Sequence, residues 1–133
     1  MAANMIAIDT NIVVRYVACD DPDQSPRAKA LVDADDVFVS LTVILESGWV
    51  LASKYGYPPD HVAASLTAFL GLPHVTVEAP WIVRQAFDWV IDGLDFADAL
   101  HLAQTGDLDG FATFDRKLAT RAVSLGHERI RLL

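Results

Sequence analysis

The chain has 133 residues, 53% of them hydrophobic, which suffices for one packed domain and leaves no room for a second catalytic one. Ten basic residues face eighteen acidic ones, a formal charge of −8 that ordinarily argues against a nucleic-acid partner. The single cysteine, Cys19, excludes an intramolecular disulfide and has no His or Cys neighbour to complete a zinc site, so a reducing cytosol is the expected compartment.

The opening "MAANMIAID" lacks a basic start, and its apolar run is too short for a secretory signal. No stretch reaches the roughly 18 apolar residues of a membrane span, so a soluble, cytoplasmic protein is expected. "MIAI" (5–8) is a short apolar run ending at Asp9, the pattern of a strand buried on both faces of a parallel sheet. Helical patterning follows over 11–18 and 25–34, then "VFVS" (37–40) reads as a second strand. Helices over 41–54 and 59–70 lead to a strand at "HVTVE" (74–78), and helices over 80–92 and 96–106 lead to "GFATF" (110–114). A helix over 116–125 and a strand at "RIRLL" (129–133) close the chain. Pro26, Pro59 and Pro80 sit near helix starts, where a missing N–H does no harm; Gly71, Gly93 and Gly126 follow helix ends, where positive φ is cheap. The alternation predicts a single α/β domain over residues 1–133 with a largely parallel sheet and helices on both faces. Ligands bind such sheets beyond the carboxyl ends of the strands, so residues ending strands are site candidates.

Two strands end in aspartate, "AID" at Asp9 and "TFD" at Asp115. Each reads locally as a helix N-cap, but in "DTN" only one of three polar residues can be the cap. Glu46, in "LTVILESGWVLA", shares a helical face with Thr42, Val43, Trp49 and Val50 and has no basic residue one turn away. It is expected to point along an inward apolar stripe. In "DFADALHLA", Asp95 reads as an N-cap, whereas Asp98 lies within an apolar helix with Asp95 and His101 on its face. His101 is expected to be a satisfied core histidine, since no His or Cys recurs at ligand spacing. Trp49, Trp81 and Trp89 fall in helical patterns and read as core or dimer-face residues.

Asp9, Glu46, Asp98 and Asp115, placed together without a counterion, would repel one another and bind protons. A hard divalent cation resolves that conflict, because Mg²⁺ and Mn²⁺ prefer oxygen ligands and bridge carboxylates to phosphate. Metal-dependent phosphodiester hydrolysis is the chemistry this residue set suits. The uneven charge distribution also weakens the case against a nucleic-acid partner. Arg116, Lys117, Arg121, Arg129 and Arg131 all fall in the last eighteen positions, while the acids gather over 20–36 and 88–109. The acidic run at 20–36 reads as solvated surface. The basic segment stays open between that reading and phosphate contacts by Arg116, Lys117 and Arg121.

"AIDTN", "LESGWVL", "DFADALHLA" and "TFD", in this order and spacing, resemble the PIN-domain ribonucleases, and within them the VapC- or FitB-like toxins of toxin–antitoxin modules. The resemblance runs from about residue 5 to the C-terminus. It implies a three-layer α/β/α fold, an Mg²⁺- or Mn²⁺-dependent endoribonuclease, and a homodimer neutralised by a small VapB- or FitA-like antitoxin. It matches Asp9, Glu46, Asp98 and Asp115 to the metal-binding quartet, Thr10 and Asn11 to polar support after the first Asp, and Thr113 to the hydroxyl of the T-x-D element. Asp95 is a secondary candidate. Open alternatives are a DNA 5′-nuclease-like enzyme, a non-catalytic module whose acidic pocket holds a basic peptide, and, last, a phosphoacceptor or dehalogenase-like phosphatase, which "DTN" fits poorly.

Overall fold

The computed structural model describes residues 4–133. The expectation drawn from "MAANMIAID" lies outside the described residues where it concerns positions 1–3. Strands and helices follow in the order β1 (Ile6–Ala7), α1 (Thr10–Ala18), α2 (Gln24–Ala34), β2 (Val37–Val39), α3 (Leu41–Ser53), α4 (Pro59–Leu70), β3 (Val75–Val77), α5 (Pro80–Ile91), α6 (Phe96–Gln104), β4 (Phe111–Thr113), α7 (Arg116–Ser124) and β5 (Ile130–Leu132). All twelve predicted elements are present within two residues of their expected ends. The chain divides into two compact units, one ending at Ala79 and the other spanning Pro80–Leu133. No helix among the described residues is long and apolar enough to cross a membrane.

In the first unit three strands pair in parallel in the order β1-β2-β3, with Ile6 opposite Val37 and Val39 opposite Val77. The central strand β2 is the most buried of the three, with Val37 and Val39 fully buried on one face and Phe38 half-buried on the other. Ile6 and Ala7, expected to be buried on both faces, are exposed; β1 is a two-residue flank of this sheet and only Ile8 beyond it enters the core. Helix α1 packs on α2, α3 and α4, burying Val13 and Val14 with Ile44, Leu51, Leu66 and Phe69. Tyr16 meets Phe69 edge-on at 5.1 Å between ring centroids. Arg15 fixes the turn after α1, donating to Gln24 Oε1 and to the Tyr55 hydroxyl, each at 2.8 Å. Cys19 ends α1 in the left-handed region at φ 52 and is free and exposed. Ser40, read from the sequence as the end of the second strand, instead caps α3, its Oγ accepting from Val43 N.

The second unit is built on α5 against α6, with Phe87 stacked on Phe96 at 5.4 Å and Val83, Ala86, Val90, Ala99 and Leu100 buried. Strands β4 and β5 pair in parallel, Thr113 opposite Leu132, and α7 packs on both through Leu118, Ala119 and Ala122. Each unit thus has its own parallel sheet, of three strands in the first and two in the second, in the α/β class the alternation predicts. Gly93 turns the chain between α5 and α6 at φ 105, and a Cβ there would collide with the Arg121 guanidinium. Gly126 also takes positive φ, but Gly71 does not: it ends α4 at φ −85, a right-handed conformation open to any residue.

Candidate active site

The first unit holds the N-terminal motif and Glu46. Asp9 is exposed and caps α1, its carboxylate accepting from Ile12 N at 3.4 Å. Because Asp9 fills the cap, Thr10 is free for another role. Its side chain is buried and its hydroxyl donates to Glu46 Oε1, tying "DTN" to "LES" across 36 residues of sequence. Asn11 is exposed on α1.

Glu46 itself is exposed, together with Thr42 and Trp49 on the same face. The inward stripe of α3 is instead Ile44, Ser47, Gly48 and Leu51. Since apolar residues flank Glu46 on both sides, the sequence could not tell which stripe faces the core. Trp49 and Trp81, read as core or dimer-face residues, are 61% and 67% exposed, so they are not core; only Trp89 is partly covered, meeting His127 edge-on.

The second unit brings three aspartates into electrostatic contact. Asp95 caps α6, its Oδ2 accepting from Asp98 N at 3.3 Å. Asp98 lies in the first turn of that helix, not deep within it as the apolar pattern suggested. A carboxylate in a first turn gains from the helix dipole. Even so, burial first, then the charges of Asp95 and Asp115, push the Asp98 carboxyl above the ordinary range, and only His101 opposes them. His101 is exposed near the end of α6 rather than in the core, because its side of the helix faces solvent while Leu100 and Leu102 turn inward.

Asp115 ends β4 and caps α7, accepting from Leu118 N at 3.0 Å. Its own N–H donates to Thr113 Oγ1 at 2.9 Å, so the T-x-D element is a closed local turn. Arg116 and Lys117 open α7 and are exposed, and among the described residues no carboxylate lies within ion-pair distance of either. Arg121 differs from them in being packed on Gly93.

The structure thus links Thr10 to Glu46 and Asp98 to Asp95 and Asp115, one group in each unit. Among the described residues no three His, Cys, Asp or Glu side chains are gathered closely enough to hold an ion directly. The Thr10–Glu46 pair is hidden from the sequence because a partner for Glu46 is sought there among basic residues one turn away. Phe114 gives no sequence signal either: it extends the apolar run of "GFATF" but is 82% exposed.

A family model for the PIN domain matches residues 6–123. No curated protein matches the chain. Among solved structures it is similar to VapC20 of Mycobacterium tuberculosis, described as a Sarcin-Ricin loop cleaving toxin, at 20% identity and a TM-score of 0.43, over 96% of this chain and 98% of that one.

Proposed function

The chain belongs to the PIN domain family, of the three-layer α/β/α class, and from that premise we propose that it is a metal-dependent endoribonuclease, the toxin of a toxin–antitoxin pair. The observation that supports metal dependence is Asp98, a part-buried carboxylate whose pKa is raised first by burial and then by the charges of Asp95 and Asp115, with His101 alone opposing them. A divalent cation supplies what is missing. The donor set is of the kind a hard ion takes, since all four candidates are carboxylates, and Mg²⁺ or Mn²⁺ can keep several waters between itself and some of its ligands. Such an ion, when bound, lowers the pKa of water and offsets charge on a phosphodiester.

In this reading Asp9, Glu46, Asp98 and Asp115 are the ligands of one PIN domain formed by the whole chain. Thr10 holds Glu46 in one orientation by its hydrogen bond, and Asn11 gives polar support beside Asp9. Thr113 fixes the backbone of Asp115, while Asp95 sets the start of α6 and strengthens the negative field at Asp98. Arg116 and Lys117 hold phosphates of the substrate. Arg121, packed on Gly93, adds a fixed positive charge on the same helix. The toxin role, a cytoplasmic site of action, a homodimer, and a small VapB- or FitA-like antitoxin whose arginine enters the acidic site all follow from the motif resemblance.

Cleavage of an RNA and DNA oligonucleotide panel by the metal-stripped protein, with and without Mn²⁺, tests the proposal. Mn²⁺-dependent RNA cleavage that disappears in Asp9→Asn is expected. Cleavage of DNA alone would assign a 5′-nuclease-like enzyme, and absence of both Mn²⁺ binding and cleavage would leave a peptide-binding module.

A further inference from the structure

Phe114 is the most exposed large apolar side chain among the described residues, at 82%. Nothing in the fold explains that exposure, since one residue earlier the chain is still in β4 and one residue later Asp115 caps α7. The backbone on either side of it is nevertheless held by hydrogen bonds. The Thr113 hydroxyl accepts from Asp115 N across it at 2.9 Å, and the Thr113 carbonyl accepts from Leu133 N at 2.9 Å.

A second local anomaly adjoins the first. Arg116 and Lys117 occupy the first two positions of α7, where positive charge opposes the helix dipole, and no described carboxylate pairs with either. "FDRK" thus presents in succession an exposed ring on a hydrogen-bonded turn, a carboxylate and two cations without an ion-pair partner among the described residues. One ligand answers both anomalies: a single-stranded nucleic acid, whose bases offer π-faces to an aromatic ring while its phosphates meet the cations.

We propose that Phe114 is a base-stacking residue that receives an unpaired nucleobase next to the cleaved phosphodiester, with Arg116 and Lys117 on the adjoining phosphates. The proposal rests on the nuclease reading and adds a selection to it. Because stacking needs a base free of its helix, single strands and loops are cleaved in preference to duplex, with little dependence on base identity. Leu132 and Leu133 are also exposed at this end of the β4–β5 ladder, so a protein contact is the competing use of the ring. The two free cations favour the nucleic acid.

The experiment uses a single-stranded RNA carrying 2-aminopurine beside the cleavage site, with wild type, Phe114→Ala, Phe114→Leu and Phe114→Trp compared for fluorescence quenching, RNA affinity in EDTA and KM in Mn²⁺. Stacking predicts that Ala and Leu both weaken RNA binding roughly 5- to 100-fold and abolish quenching, that Trp preserves both, and that Mn²⁺ affinity is unchanged in all three. Leu restoring what Ala loses would show a merely apolar contact. A changed sedimentation coefficient with unchanged RNA affinity would make the ring a protein interface. Wild-type cleavage with no effect of any variant would overturn the stacking role while leaving the nuclease reading intact. A wild type without Mn²⁺-dependent cleavage would remove both.

Discussion

Replacing Thr10 by Val removes one hydroxyl from a buried position and keeps the shape and β-branching of the side chain. The lost interaction is the hydrogen bond to Glu46 Oε1. Bonds to charged groups contribute about 1.5–3 kcal/mol, but Glu46 is exposed and regains water, so the net destabilisation is about 1 kcal/mol. For a chain of this length that is a fall of roughly 3–5 °C in Tm. The functional effect is larger, because an unanchored carboxylate must be ordered again at each metal-binding event, and losing a group that orients a ligand costs roughly 10- to 100-fold in metal affinity or activity. Thr10→Ser gives the crossed control. It keeps the donor and loses a buried methyl, so it retains Mn²⁺ affinity and cleavage while losing about 1 kcal/mol of stability. Thermal unfolding in EDTA, Mn²⁺ titration calorimetry and RNA cleavage measure the three quantities on both variants. Thr10→Val with wild-type Mn²⁺ affinity and cleavage would refute the reasoning.

Asp98→Asn is expected to raise Tm in EDTA at neutral pH while abolishing cleavage. A raised pKa means that the folded chain holds the proton more tightly than the unfolded chain, so the charged form penalises folding above the folded pKa and the penalty vanishes below the ordinary value of 3.8. The advantage of Asn should therefore appear near pH 7 and disappear in acid, and a variant destabilised at pH 7 would make Asp98 a structural residue. Ser47→Ala should stabilise the protein by about 1 kcal/mol in urea unfolding, because the fully buried Ser47 hydroxyl has no hydrogen-bond partner among the described residues and alanine favours helix. A loss of similar size would reveal a bond the hydroxyl makes. Replacing Arg116 and Lys117 together by Ala should lower the slope of log KM against log salt by about 1.4 for a single-stranded RNA; an unchanged slope removes them from the phosphate path.

Much of the fold is legible in the sequence because its punctuation is chemical. Pro59 opens α4 and Asp9, Ser40, Asp95 and Asp115 cap helices with their own side chains, so each boundary carries a local cause. What periodicity does not give is the direction of an apolar face. Helix α3 is apolar nearly all round, and its buried stripe runs through Ser47 and Gly48, the residues that look least like core, while Glu46 and Trp49 face solvent. The exposure of β1 is hidden for a related reason, since a short apolar run has no polar residues to mark an exposed face. The candidate carboxylates are legible as residue types at strand ends and helix starts, but their local partners are not. Thr10 reaches Glu46 through tertiary packing, and Asp98 meets Asp115 across two elements joined only by the fold.

Carboxylates that share a divalent cation are the centre of the proposed function. Calorimetric titration of Mn²⁺ into the metal-stripped wild type and Asp98→Asn measures that sharing directly. Saturable binding by the wild type, weakened at least about tenfold in a fully folded Asp98→Asn, is the predicted result. A wild type that takes up no Mn²⁺, or an Asp98→Asn that binds it equally well, would contradict the proposal.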